Sequence, residues 1–150
     1  MSLSLVETAI ITRLRADATL VALMPTGSNT YISTNLGPST SVYPYVVLEV
    51  TDEENSNAFQ SDGTEFTATI HILDNLQNGQ VPSRTIIERI RGEASRTPSY
   101  GLNRHSLVLS GSEWTGSVML RRSGTTQHDR DTLHYIETFT GHTTRVVSGS

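Results

Sequence analysis

Residues 41–50 read SVYPYVVLEV, with Pro44 between two tyrosines directly ahead of an apolar run. Proline lacks a backbone N–H and drives the preceding residue, Tyr43, into an extended conformation. It can therefore open a strand but not sit inside a central one. Past it, Val46, Leu48 and Val50 alternate with Tyr45, Val47 and Glu49. The first set is a core face. The second mixes an aromatic ring, a β-branched residue and a carboxylate, which suits a surface that something else covers.

Working outward, residues 51–64, TDEENSNAFQSDGT, read as a polar loop carrying Asp52, Glu53, Glu54 and Asp62. It is longer than a hairpin requires, and long loops in compact domains tend to be functional or mobile. The next strand, EFTATIHILD, puts Phe66, Ala68, Ile70 and Ile72 on one face and Glu65, Thr67, Thr69 and His71 on the other. The last third adds HSLVL, GSVMLRR and TLHYIETFT as strands, with SGTTQHDRD as the turn before the last of them. Gly/Ser breaks around Trp114 predict a bulge or a bent strand.

Two helices flank these strands. Val6, Ile10 and Leu14 recur at helical spacing, giving a helix over about residues 5–16, with Ser4 and Glu7 placed as a capping box. Asp17 caps a short second helix that Pro25 and Gly27 stop. The segment TYIST is a short extended piece. Pro82 fits a first helical turn, and Ile86, Ile87, Ile90 and Ala94 mark a second long helix ending before Arg96. The order predicts an α+β domain over residues 1–142. Its antiparallel or mixed sheet has four to five strands packed on two main helices, and residues 143–150 form a polar tail.

Bulk properties narrow the function. A chain of 150 residues is one domain's worth, and 35% hydrophobic residues suffice for a core. The net charge of −4 argues against a dedicated nucleic-acid binder, and every basic residue is arginine. With no cysteine, disulfide scaffolds, thiolate catalysis and thiolate zinc sites are excluded. No apolar run approaches a membrane span, and the start, MSLSLVETAI, lacks the basic leader of a signal peptide. A reducing cytoplasm is the expected place of synthesis and use.

The most chemical-looking stretch is HDRDTLH, residues 128–134. His128, Asp131 and His134 could hold a metal or serve a small hydrolase. If extended, however, the stretch sets Arg130 beside the two histidines and points Asp129 and Asp131 the other way. A polar turn entering a strand explains it more simply. Asp52, Glu53 and Glu54 could meet a hard cation, but a solvated acidic loop accounts for them. His71 and His105 read as neighbour- or solvent-facing, and Trp114 as a bulge anchor or an interface ring. No GxSxG elbow is present, and GPST lacks the lysine and following helix of a phosphate loop. No catalytic residue, metal or cofactor is therefore expected.

The succession of helix, YPYVVLEV, long polar loop, FTATIHI, helix and paired C-terminal strands resembles the tail completion, or tail terminator, proteins of long-tailed bacteriophages. The lead-in at Tyr43 to Val47 is the most specific element. Residues 110–117, SGSEWTGS, look longer than the family pattern. The resemblance implies a non-enzymatic virion protein forming a ring, typically of six copies. Such a ring caps the head-proximal end of the tail tube, ends its polymerisation and joins the tail to the neck. Implied partners are the tube protein, the neck or connector protein and the subunit's own copies, with DNA passing through the lumen unbound. Another neck or head-completion component is the alternative, ahead of a metal-binding enzyme.

Combining that ring with the alternating faces gives the expected contact residues. These are Tyr45, Val47, Glu49, Thr67, Thr69 and His71 on the sheet, and Asp52, Glu53, Glu54 and Asp62 in the acidic loop. Arg121, Arg122 and Arg130 are the arginines expected to answer those carboxylates.

Overall fold

A computed structural model describes residues 2–34, 42–53, 63–79, 81–92, 98–107, 109, 114–116, 118–128 and 132–145. The chain opens with α1 (Ser2–Ala16) and α2 (Ala18–Ala22), followed by β1 (Ile32–Ser33), β2 (Tyr45–Glu53) and β3 (Gly63–Asn75). Then come α3 (Val81–Arg91), β4 (Trp114–Gly116), β5 (Leu120–His128) and β6 (Thr132–Arg145). The six strands form one sheet in the order β1-β2-β3-β6, with β4 and β5 both paired to the far edge of β6. Among the described residues only the β1–β2 pairing is parallel, so the sheet is mixed and mostly antiparallel. The α+β class holds, and two very short strands bring the count above the expected five.

The core lies on one side of the sheet. Val46, Leu48, Val50, Phe66, Ala68, Ile70, Ile72, Leu133 and Phe139 pack against Val6, Ile10 and Leu14 of α1, Leu20 of α2, and Ile86, Ile87 and Ile90 of α3. Four-residue spacing along α1 and period-two spacing along β2 and β3 place these side chains on one layer boundary. A fully buried Ile or Leu there contributes about 1.5–3 kcal/mol.

Several boundaries differ from expectation, each for a local reason. α1 begins before Ser4, so Ser4 is a helical residue whose carbonyl accepts from Thr8 Oγ1, not a cap. Asp17 does cap α2, its Oδ1 accepting from the amides of Thr19 and Leu20 at 3.1 and 3.3 Å. α3 stops at Arg91 rather than running to Ala94, which lies outside the described residues. Gly92 turns the chain away at φ +94°, and Leu102 and Asn103 donate to the carbonyls of Ile90 and Arg91. The helix's last acceptors are thus taken by a crossing segment. That crossing is close enough that a Cβ on Gly101 would meet Gly92 Cα at 2.1 Å.

β2 runs on to Glu53 and β3 starts at Gly63, so the acidic connection is shorter than the predicted loop. In the last third, Ser106 makes only an isolated bridge to Val118 where a strand was expected at HSLVL. The residues Ser123 to His128, predicted as turn, belong to β5. Ser, Gly and Thr satisfy a solvent-facing edge strand because the ladder to β6, not burial of their side chains, holds them. The expected break near Trp114 appears as the division of one β6 edge between β4 and β5. A register shift follows between Arg121 and Ser123. β6 continues through Arg145, past the expected limit at 142.

Candidate assembly interface

The face of the sheet opposite the helices is built by register. Tyr45, Leu73 and His134 form one row, and Val47, His71 and Ile136 the next. Glu49, Thr69 and Thr138 follow, then Thr51, Thr67 and Thr140, with Leu120 opposite Thr140. The expected set of Tyr45, Val47, Glu49, Thr67, Thr69 and His71 therefore shares one surface. None of these side chains belongs to the core cluster formed with the helices. The surface is apolar around Val47 and Ile136, threonine-rich toward the other end, and carries Leu120 at 54% exposure.

Two aromatic contacts furnish the apolar end. Tyr43 stacks on Tyr45 with centroids 5.6 Å apart, after a cis Tyr43–Pro44 peptide. His71 Nδ1 and His134 Nε2 lie 2.8 Å apart, with Glu49 Oε1 3.9 Å from His71 Nε2. Burial and the neighbouring His71 hold the His134 imidazole below its ordinary pKa, favouring the neutral ring. Burial, with Tyr43 nearby, pushes the Tyr45 hydroxyl up.

The HDRDTLH cluster does not assemble as an extended strand would have it. The chain reverses within it, and the register sets position 128 opposite Leu133 and position 134 opposite Gln127. Positions 128 and 134 consequently occupy opposite faces, and Asp131 lies outside the described residues. The true neighbour of His134 is His71, 63 residues away. Alternation flagged only His71 as lying on an outer position, and it is the β3–β6 register that brings His134 beside it.

Arg121 is held inside its own chain. Its Nε donates to Glu137 Oε2 at 2.6 Å, and Arg91 binds the other carboxylate oxygen, making an Arg–Glu–Arg triad. Glu137 is 2% exposed on the core side, opposite Ile70. Its hydrogen bond to Arg121 raises the guanidinium pKa. Sequence reading missed Glu137 because it stands in an alternating strand at a position reserved for apolar residues. Arg122 sits at the register shift, beside a cleft shared with Glu65, Val118 and Leu120. For Asp52 and Glu53 the backbone pairs with Phe66 and Glu65 at the end of the β2–β3 ladder. Glu54, Asp62 and Arg130 lie outside the described residues.

On the helix side, Arg89 grips Asp17 with Nε and Nη2 at 2.8 and 2.9 Å and lies 3.6 Å over the Tyr100 ring. Arg13 donates to the carbonyls of Gly101 and Pro98. These bonds fasten the segment after α3 onto α1 and α2. A cleft of about 810 Å³ lies among these elements, and its charged side chains Arg13, Asp17 and Arg89 are engaged in these bonds. Among the described residues no three or more side chains are grouped to hold a metal. Nor, among the described residues, is any helix long and apolar enough to cross a membrane.

An α+β domain with one helix-covered sheet face, one mixed face free of helices, and Arg89, Arg91 and Arg121 tied to carboxylates of its own chain has the build of an assembly subunit. The chain belongs to the family described as tail completion protein gp17, whose model matches residues 8–136. It is a structural phage tail protein. Its fold is similar to a chain in the virion of a native gene transfer agent (GTA) particle. That likeness has a TM-score of 0.65 at 18% identity and spans 92% of this chain and 93% of the other. No curated protein sequence matches the chain.

Proposed function

We propose that the protein caps the head-proximal end of the phage tail tube as a ring of six copies, ends tube polymerisation and joins the tail to the neck. The observation that carries this reading is the uncovered sheet face. Tyr45, Leu73 and Ile136 stand half-buried outside the helix-packed core, Val47 beside them is 9% exposed, and Leu120 projects from the same surface. Ring contacts are heterologous: one patch meets a different patch on the next copy, and rotation closes the ring. A mixed face with a polar half suits a subunit that is soluble alone and covered on assembly.

Six copies at −4 each carry a charge of about −24, which opposes adhesion of DNA passing through the lumen. Asp52, Glu53, Glu54 and Asp62 are assigned to the lumen or to a neighbour's arginines. With Arg121 committed to Glu137, Arg122 at the register shift is the better-placed partner among the described arginines.

The experiment is deletion of the gene from its phage, with complementation from a plasmid. Loss should give overlong tail tubes unattached to heads, restored to normal length and joining by the wild-type chain. Tubes of normal length that merely fail to join heads would move the protein to the connector side of the neck. Normal, joined tails in its absence would sink both readings.

A further inference from the structure

We propose that His71 and His134 form a two-imidazole site for a late first-row divalent cation, Cu2+ foremost and Ni2+ next. The strands set the pair up. His71 lies opposite Ile136 and His134 opposite Leu73, so the two histidines are diagonal neighbours on adjacent antiparallel strands and share one face. Their rings lie 5.1 Å apart between centroids, tilted by 37°, and bring His71 Nδ1 to 2.8 Å from His134 Nε2.

That separation, a hydrogen bond in the metal-free pair, is also close to what cis ligation of one ion requires. Two imidazole nitrogens, each about 2.0–2.1 Å from one ion and at right angles, stand about 2.9 Å apart. Tetrahedral coordination would hold them about 3.4 Å apart at the same bond length. The pair thus fits the cis positions of a square-planar or octahedral ion, and imidazole is a favoured ligand of copper and nickel. The β-sheet fixes the backbone positions of both rings, so only ring rotation is needed to aim the lone pairs at one point.

Proton accounting also closes. In the metal-free pair one neutral ring donates N–H to the other. The cation takes that proton's place, and the donor ring carries its hydrogen on the other nitrogen, with no net proton released. For His71 that other nitrogen is Nε2, which faces Glu49 Oε1 at 3.9 Å. A carboxylate on the far side of a ligating imidazole orients the ring and raises its basicity. The remaining coordination positions open into a cleft of about 370 Å³ beside Tyr45, Val47 and Leu73, with room for water or a further ligand.

The test uses untagged, full-length protein stripped of metal with a chelator. Cu2+ is titrated at about pH 7.5, where ordinary imidazoles are neutral. One ion should bind per chain, with an electron paramagnetic resonance spectrum showing coupling to two nitrogens and a rise in melting temperature. His71→Gln and His134→Gln should each abolish the two-nitrogen signal and the rise, while His128→Gln and His142→Gln keep both. The spectrum of the wild-type protein needs no variant, so a misfolded substitution leaves the question answerable. Absence of a one-to-one site in the wild type would overturn the proposal. So would folded His71→Gln and His134→Gln proteins that retain the two-nitrogen spectrum.

Discussion

Arg121 of β5 and Arg91 of α3 hold the buried Glu137 between them, Arg121 on Oε2 and Arg91 on Oε1. A helix end and an edge strand are thereby tied to the central strand β6 through one carboxylate. Losing both arginines strands that charge, which costs about 3–5 kcal/mol in comparable buried pairs. Replacing the carboxylate itself by an apolar group leaves two partly exposed guanidiniums that water can reach. Urea unfolding should therefore show Glu137→Leu within about 1.5 kcal/mol of wild type, and Arg91→Ala/Arg121→Ala markedly lower. The reverse order would mean that the triad is not the strut described.

Gly124 passes directly over this triad. A Cβ there would stand 2.5 Å from Glu137 Oε1 and 2.6 Å from Arg121 Nη2. Both neighbours are committed to each other, so the added methyl must displace the pair or the strand. Gly124→Ala should destabilise by about 1–3 kcal/mol by thermal or urea melting. In the background of Glu137→Leu the clash with Oε1 is gone, and a smaller penalty is expected.

Much of this arrangement was legible in the sequence, and the exceptions have a common cause. Pro44 and the alternation after it fixed the start and both faces of β2, and the same period read β3 from Phe66 to Ile72. Asp17 announced its own cap. Glu137, His134 and the edge strand β5 escaped because their roles depend on which strand lies alongside. Hydrophobic pattern reports a residue's own burial, not the register of its neighbour. A polar SGTTQH segment looks like a turn until β6 supplies its hydrogen bonds. The α3 terminus was misplaced because the apolar spacing continued to Ala94 while Gly92 had already turned the backbone.

His105 supplies a pH dependence. Burial, with Arg13 nearby, lowers its pKa from 6.5 to about 4. Between those values the unfolded chain binds the proton and the folded one resists it. Its contribution is therefore fully present above about pH 6.5 and is lost as pH falls toward 4. His105→Gln should flatten the acid limb of a stability–pH curve across that window and leave the neutral region nearly parallel to wild type. An unchanged acid limb would remove His105 from the account.

Asp17 does two jobs that can be separated. It caps α2 and it binds Arg89 through both oxygens, while burial opposes its charge. The hydrogen bonds and charge of Arg89 and the two amides outweigh that burial and hold its pKa below the usual value. Asp17→Asn keeps an oxygen for the Thr19 and Leu20 amides but gives up the charged pair. Asp17→Ala gives up both, so it should melt lower than Asp17→Asn by about 1 kcal/mol, the worth of a cap. Equal losses would mean that the cap contributes nothing beyond the ion pair.

The outer face makes the sharpest separation between folding and function. Leu120 is more than half exposed and Thr69 sits mid-face, so neither supports the core in the free subunit. Substitutions at such positions usually change stability by no more than about 0.5 kcal/mol. If neighbouring copies or the tube cover this face, a carboxylate placed there must be desolvated on assembly without a partner, which costs several kcal/mol. Leu120→Glu should therefore melt like wild type as an isolated protein and Thr69→Glu, set opposite Glu49, only slightly lower, yet both should fail to complement a deletion phage, read as unjoined tails by electron microscopy. A Glu88→Lys change on the exposed side of α3 serves as the surface control and should complement. If both glutamate variants complement as well as the control, the sheet face is free in the assembled tail, and the contacts must be sought on the helices instead.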